Sequence, residues 1–231
     1  MIGKFVFPNI LQRGIWVPTR SLFWFFMHFS VRGYENIREL PKGVIFALNH
    51  SSELDPIILP ASFPFFSRHF PMFYSSREKS FYKNSGWRKM FYGGTFFKFW
   101  GSYPLQSGKQ DYEVALKNHI EILQEDGSLC VFPEGRVTVD GNLGTAHGGV
   151  AYLSWRTGKP IVPVATKGIW KMGLRGFLRR QRAVSITFGK PLYPRELFAF
   201  CNGTPAIAEE QNDFSSAAKQ IMHEIEKLLK T

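Results

Sequence analysis

The segment Asn49-His50-Ser51-Ser52-Glu53-Leu54-Asp55-Pro56 sets an imidazole five residues ahead of a carboxylate, directly after the apolar run at 44–48. A neutral histidine held by a carboxylate can take a proton from an alcohol near neutral pH, because its ordinary pKa lies close to the working pH. The pair is half of an alcohol acylation site. The same residues also make an ordinary helix start, with Asp55 as N-cap, Pro56 at the first helical position and His50 as the polar end of a strand. Short spacings recur by chance, so the pair alone leaves both readings open.

A second segment, Ser128-Leu129-Cys130-Val131-Phe132-Pro133-Glu134-Gly135-Arg136, reads as a short apolar strand that runs straight into a proline, an acid, a glycine and an arginine. Ile161-Val162-Pro163-Val164-Ala165 is a third apolar run. In parallel α/β sheets ligands bind beyond the carboxyl ends of strands, so the polar exits of such strands can line one crevice.

With these segments in view, the chain resembles the glycerolipid acyltransferases typified by 1-acylglycerol-3-phosphate acyltransferase. That family has a His-x-x-x-x-Asp block, a Gly-led block, a Phe-Pro-Glu-Gly block and a Val-Pro block in this order. They match His50 to Asp55, Gly101 to Ser107, Phe132 to Arg136, and Ile161 to Val164, and the likeness covers residues 30–190. The resemblance implies that His50 is a general base on the free hydroxyl of a lysophospholipid or glycerol phosphate, with Asp55 fixing its tautomer. The substrate's alcohol then stands where a hydrolase has its serine. No Gly-x-Ser-x-Gly elbow occurs in the chain. The resemblance further implies an acyl thioester donor, acyl-CoA or acyl carrier protein, as co-substrate, with no cofactor and no metal.

By the same resemblance Glu134, Gly135 and Arg136 bind the acceptor, the glycine admitting close backbone approach and the arginine matching phosphate oxygens. Read as residues alone, Glu134 is equally a turn acid and Arg136 a surface ion-pair partner. Pro163 belongs to the fourth block and is implied at the substrate site. Most family members place Thr before the Arg; Arg136 follows Gly135 directly, as in the branch that acylates lysophosphatidylethanolamine. The Gly-led block departs further, ending at Ser107 where the family has an arginine, with Lys109 two residues on. Ser107 can only hydrogen-bond, whereas Lys109 carries charge on a longer stem. A phosphodiester acceptor, less charged than a phosphomonoester, is one explanation. His147 falls where the family often has a basic residue, and is otherwise a loop histidine.

Composition fits a substrate that lives in a membrane. Lys plus Arg exceed Asp plus Glu by 29 to 18, and stretches 1–34, 56–77 and 79–110 hold no acid. Those stretches concentrate the aromatics, from Phe23, Trp24, Phe25 and Phe26 to Phe99 and Trp100. Cations seek anionic headgroups and rings settle at the interface, so a peripheral membrane face is expected. A nucleic-acid binder shares this mix, but no helix-turn-helix, RNA-recognition or zinc-finger signature is present, and no nucleic-acid partner is expected. Two further alternatives are a thioester or ester hydrolase using the same His-Asp pair and a lipid-binding module without chemistry. Lys167, Lys171, Arg175, Arg179, Arg180 and Arg182 form another cluster without an acid, either headgroup-binding surface or solvated loop. A helix would put Lys171, Arg175 and Arg179 on one face, though Gly173 and Gly176 weaken it.

The elements that must position these groups alternate as βα units. The fold expected is α/β, a mostly parallel central sheet flanked by helices with N-terminal interfacial helices, in one domain spanning 1–231. Residues 1–30 lack a signal-peptide cleavage site and the run of about 20 apolar residues that a span needs, so they are expected to lie on a membrane. The catalytic core is expected over 31–200. A helix is expected over 109–125, a strand over 183–188, a loop over 199–212, and an amphipathic helix over 213–231 that covers the core. Two cysteines 71 residues apart make no metal or disulfide framework. A reducing compartment and the cytoplasmic face of a membrane are expected.

Overall fold

A computed structural model describes residues 2–76, 99–105, 111–199 and 211–231. Among these, strands β1 (Ser30–Arg32), β2 (Ile45–Leu48), β3 (Met72–Ser76), β4 (Ser102–Pro104), β5 (Ser128–Val131), β6 (Ile161–Lys167) and β7 (Ser185–Phe188) form one sheet in the order β1-β7-β6-β2-β5-β3-β4. Every neighbouring pair is parallel except β6 and β7. The core strands β2 and β5 are buried along their whole length, which is why they read as unbroken apolar runs and not as alternations.

Alternate residues of these strands enter different layers. Ile45, Ala47, Leu129, Val131, Ile161 and Ala165 meet helices α4 (Lys117–Gln124), α5 (Gly149–Thr157) and α8 (Gln211–Lys230). Phe46, Leu48, Cys130, Val162 and Val164 meet α1 (Ile2–Met27) and α2 (Asp55–Ser62) on the other side. This is the α/β architecture expected, with the terminal helix packed on β6 and α5.

Three local readings change. The helix expected over 109–125 is two pieces, α3 (Tyr112–Ala115) and α4, broken at Leu116, whose backbone leaves the helical region (φ −107°, ψ 7°). The cationic helix is short. α6 (Leu174–Leu178) starts after Gly173, runs through Gly176 and ends before Arg179, and Lys171 stands outside it with φ 51°, so of the three cations only Arg175 is helical. The N-terminal region is the single helix α1, which passes through Pro8 and Pro18. The loop expected over 199–212 falls largely outside the described residues.

Buried Gln12 pins α1 to the sheet as a strand neighbour would, accepting from Met72 N (2.8 Å) and donating to Met72 O (2.6 Å) and Trp100 O (2.8 Å). Arg20 donates to Ala61 O at 2.6 Å, satisfying a carbonyl at the C-terminal end of α2. Arg13 donates to Phe65 O. Two cations of the acid-free N-terminal stretch are therefore committed to carbonyls within the fold. The outer face of α1 leaves Phe7, Ile10, Val17, Leu22, Trp24 and Phe25 exposed. Among the described residues no helix is long and apolar enough to cross a membrane.

Candidate active site

At the carboxyl end of β2 the chain turns through Asn49 to Ser52 before α2 begins at Asp55. Asp55 is the first helical residue and not the N-cap, which is Leu54. Its carboxylate points back along the loop and organises it. Oδ2 accepts the amides of Ser51 and Ser52, each at 2.8 Å, and lies 3.1 Å from His50 Nδ1. Oδ1 accepts the hydroxyl of Thr166 from neighbouring β6 at 3.3 Å. Asp55 is fully buried, so these donors replace the water it has lost.

The network assigns the tautomer of His50. A carboxylate only accepts, so Nδ1 carries the proton and Nε2 keeps the lone pair a general base needs. The ring is held flat against Phe132 at the end of β5, with centroids 3.9 Å apart and planes at 16°. Its side chain retains 16% exposure, enough for contact with a substrate.

The second block meets the first through Glu134. Oε1 accepts the amide of His50 at 2.9 Å and Oε2 accepts the amide of Gly144 at 2.7 Å. The His50 carbonyl accepts Thr138 N at 2.8 Å, so both backbone polar groups of His50 are held by the segment after β5. Gly135 has φ 65°, a left-handed conformation, and a Cβ there would lie 3.3 Å from the His147 ring. His147 N in turn donates to Pro133 O at 2.9 Å.

A cavity of about 190 Å³ opens beside these groups, lined by residues including His50, Glu134, Thr138, Asn142, Lys167 and Trp170. His50, Asp55, Glu134 and Gly135 thus come together as the sequence suggests. Arg136 is exposed just past the corner, without an ion pair among the described residues. Pro163 does not line the cavity: it is buried in the middle of β6 opposite Ala47, and its carbonyl accepts Gly189 N. Ser107 and Lys109 lie outside the described residues.

The model of the family described as Acyltransferase matches residues 28–167, more than half of the chain and the whole stretch from β1 to β6. The chain belongs to the Acyltransferase family. Among relatives of this acyltransferase-family chain is a chloroplastic 1-acyl-sn-glycerol-3-phosphate acyltransferase of Arabidopsis thaliana, 26% identical over 199 residues, covering 81% of this chain and 50% of the relative. Another of the same description, from Brassica napus, is 26% identical over 188 residues, covering 79% and 51%. The chain therefore spans about half the length of the curated relatives it matches. The crystal structure of the 1-acyl-sn-glycerophosphate acyltransferase of Thermotoga maritima has the same fold, with a TM-score of 0.60, 17% identity, and coverage of 95% of this chain and 82% of that one.

Within this family member, four site residues escaped the motif reading. Thr166 and Asn49 hold each other across β2 and β6, Thr166 N donating to Asn49 Oδ1 at 2.8 Å and Asn49 Nδ2 to Thr166 O at 3.1 Å. Lys167 and Trp170 wall the cavity. The available signal was position: Asn49 and Thr166 are the first polar residues at the carboxyl ends of their apolar strands.

Proposed function

We propose that the protein transfers a fatty acyl group from an acyl thioester, on coenzyme A or acyl carrier protein, to the free hydroxyl of a lysophospholipid such as 1-acylglycerol-3-phosphate, in phospholipid biosynthesis or remodelling. The observation that carries the reading is the 3.1 Å approach of His50 Nδ1 to Asp55 Oδ2 in a buried, fully hydrogen-bonded setting. Family membership and the activity named for each relative support it.

In this mechanism Nε2 of His50 takes the hydroxyl proton as the oxygen attacks the thioester carbonyl carbon. Asp55 stabilises the resulting imidazolium through Nδ1–H. The tetrahedral adduct collapses, the carbon–sulfur bond breaks, and the proton on Nε2 passes to the departing sulfur. The products are the acylated lipid and a free thiol. Phe132 and Glu134 keep the imidazole in place; Glu134 acts on the backbone of His50 and Gly144, so its part in acceptor binding is to shape the Gly135 corner. Arg136, exposed beyond that corner, is the cation offered to the acceptor phosphate, with Ser107 and Lys109 as further partners.

The enzyme works peripherally on the cytoplasmic face of a membrane, with the exposed apolar side chains of α1 in the interface. The test is incubation of the protein with mixed lysophospholipids and acyl-CoA or acyl-carrier-protein donors, with products identified by mass spectrometry. New diacyl lipid is expected; free fatty acid without new lipid selects a hydrolase and overturns the reading.

A further inference from the structure

The connection between β6 and β7 carries α6 and the cluster of cations, in a region where no acid occurs between Asp140 and Glu196. None of Lys167, Lys171, Arg175, Arg179, Arg180 and Arg182 has an ion pair among the described residues. α6 presents apolar side chains outward: Leu174 is 73% exposed and Leu178 53%, one helical turn apart on a common face. Exposed leucines flanked by arginines without ion pairs are the pattern of an interfacial helix.

This segment is physically joined to the membrane-facing end of α1. The Phe177 ring packs on Phe26 at 5.0 Å, and the Arg180 guanidinium sits 4.9 Å from the Phe25 ring. Trp24, 72% exposed, and Leu22 continue the apolar surface on α1. At its other end the same segment builds the cavity. Trp170 is a cavity wall, its carbonyl accepts Arg182 Nη1 at 2.6 Å, and its ring lies so close to Gly141 that a Cβ there would sit 3.0 Å away. Lys171 Nζ lies 4.4 Å from that ring.

We infer that residues 168–182 are a second membrane-docking element, specific for bilayers containing anionic phospholipid, that sets the cavity at the level of the headgroups. The inference rests on the proposed action on membrane lipids and deepens it by naming the surface and its lipid. Arginines flanking apolar side chains complement anionic headgroups above an acyl layer. Nucleic acid is the poorer occupant, because Leu174 and Leu178 offer no face on which a base can stack.

The experiment is flotation of the full chain with phosphatidylcholine vesicles, with and without phosphatidylglycerol. Three proteins are compared: the unaltered chain, Arg175→Gln/Arg179→Gln, and Leu174→Ser/Leu178→Ser, each checked for fold by circular dichroism. Each basic residue near an anionic surface contributes roughly fivefold in partitioning, so the arginine pair lowers binding to anionic vesicles by about 25-fold and leaves binding to pure phosphatidylcholine unchanged. The leucine pair lowers binding to both. Acyl transfer to a short-chain lysophospholipid below its micellar concentration stays at the unaltered rate in both variants, whereas transfer to vesicle-borne substrate falls. Unchanged partitioning of both variants overturns the inference, as does loss of binding to a single-stranded oligonucleotide with vesicle binding intact. Flotation needs no turnover, so absence of acyl transfer in the unaltered chain sinks the functional reading and leaves the docking result standing.

Discussion

Glu134 Oε1 accepts the backbone amide of His50 at 2.9 Å, joining two residues 84 positions apart in sequence. The contact links the carboxyl ends of adjacent strands β2 and β5 and gives Glu134 a bracing role on the His50 backbone. Glu134→Ala orphans the amides of His50 and Gly144, each lost partner costing about 1–3 kcal/mol. The expected result is a urea midpoint corresponding to about 2–6 kcal/mol lower stability, together with a kcat at least about tenfold lower because the His50 loop is released. Retention of both stability and kcat would exclude the bracing role.

Oδ2 of Asp55 serves the Ser51 and Ser52 amides and His50 Nδ1 together, so Asp55→Asn either keeps its oxygen there and loses the charge that stabilises an imidazolium, or turns its NH2 there and loses both amides and the His50 tautomer. In the serine protease triad the corresponding change costs about 10⁴-fold in kcat through the wrong tautomer. A loss of about 10³–10⁴-fold in kcat is expected here, with KM for both substrates nearly unchanged. Steady-state kinetics decide it, and a loss under tenfold rejects Asp55 as the group that stabilises the imidazolium.

The Thr166 hydroxyl, on neighbouring β6, lies 3.3 Å from Asp55 Oδ1 and 3.2 Å from Asn49 Oδ1 and shares its single proton between these acceptors. Thr166→Val keeps the volume and removes both bonds, a loss of about 1 kcal/mol and of about three- to tenfold in kcat. Thr166→Ser restores the hydroxyl, so it should recover most of the rate. If the valine and serine variants behave alike, the hydroxyl has no part in orienting Asp55.

How legible this site was follows from where each group sits along the chain. His50 and Asp55 lie in one short segment, so their spacing revealed them. Glu134 was visible as a residue but not as a brace, because its partners His50 and Gly144 are set by strand order, which a single sequence does not carry. Thr166 reads as the tail of an apolar strand until β6 is placed beside β2. The buried strands β2, β5 and β6 announced themselves as apolar runs, whereas β1 and β4, the two edge strands of three residues each, carry too little pattern to be seen. Leu116 continues the helical spacing of Ile120 and Leu123, yet the chain breaks there; periodicity reports the buried face and not the continuity of the backbone.

Buried His119 supplies a pH test away from the catalytic loop. Burial pushes its pKa from 6.5 down to about 4; polar backbone groups of Tyr103 and Tyr74, outside good hydrogen-bond geometry, oppose this, and the Lys4 charge adds to it. With the folded pKa depressed, the unfolded chain binds the extra proton between these values. The stability that the neutral ring contributes is present above pH 6.5 and is lost as pH falls toward 4, by about 3 kcal/mol. Urea unfolding across that window should show stability rising with pH, and the slope should flatten in His119→Leu. An equal slope in both proteins assigns the acid sensitivity elsewhere.

The account rests on His50 as the base that activates the acceptor hydroxyl. The most direct measurement is the initial rate of diacyl lipid formation by His50→Ala, with circular dichroism and the urea midpoint establishing that the fold is kept. General-base catalysis contributes about 10²–10⁴-fold, so a rate lower by at least about 100-fold is predicted. A folded His50→Ala protein that turns over near the unaltered rate contradicts the mechanism.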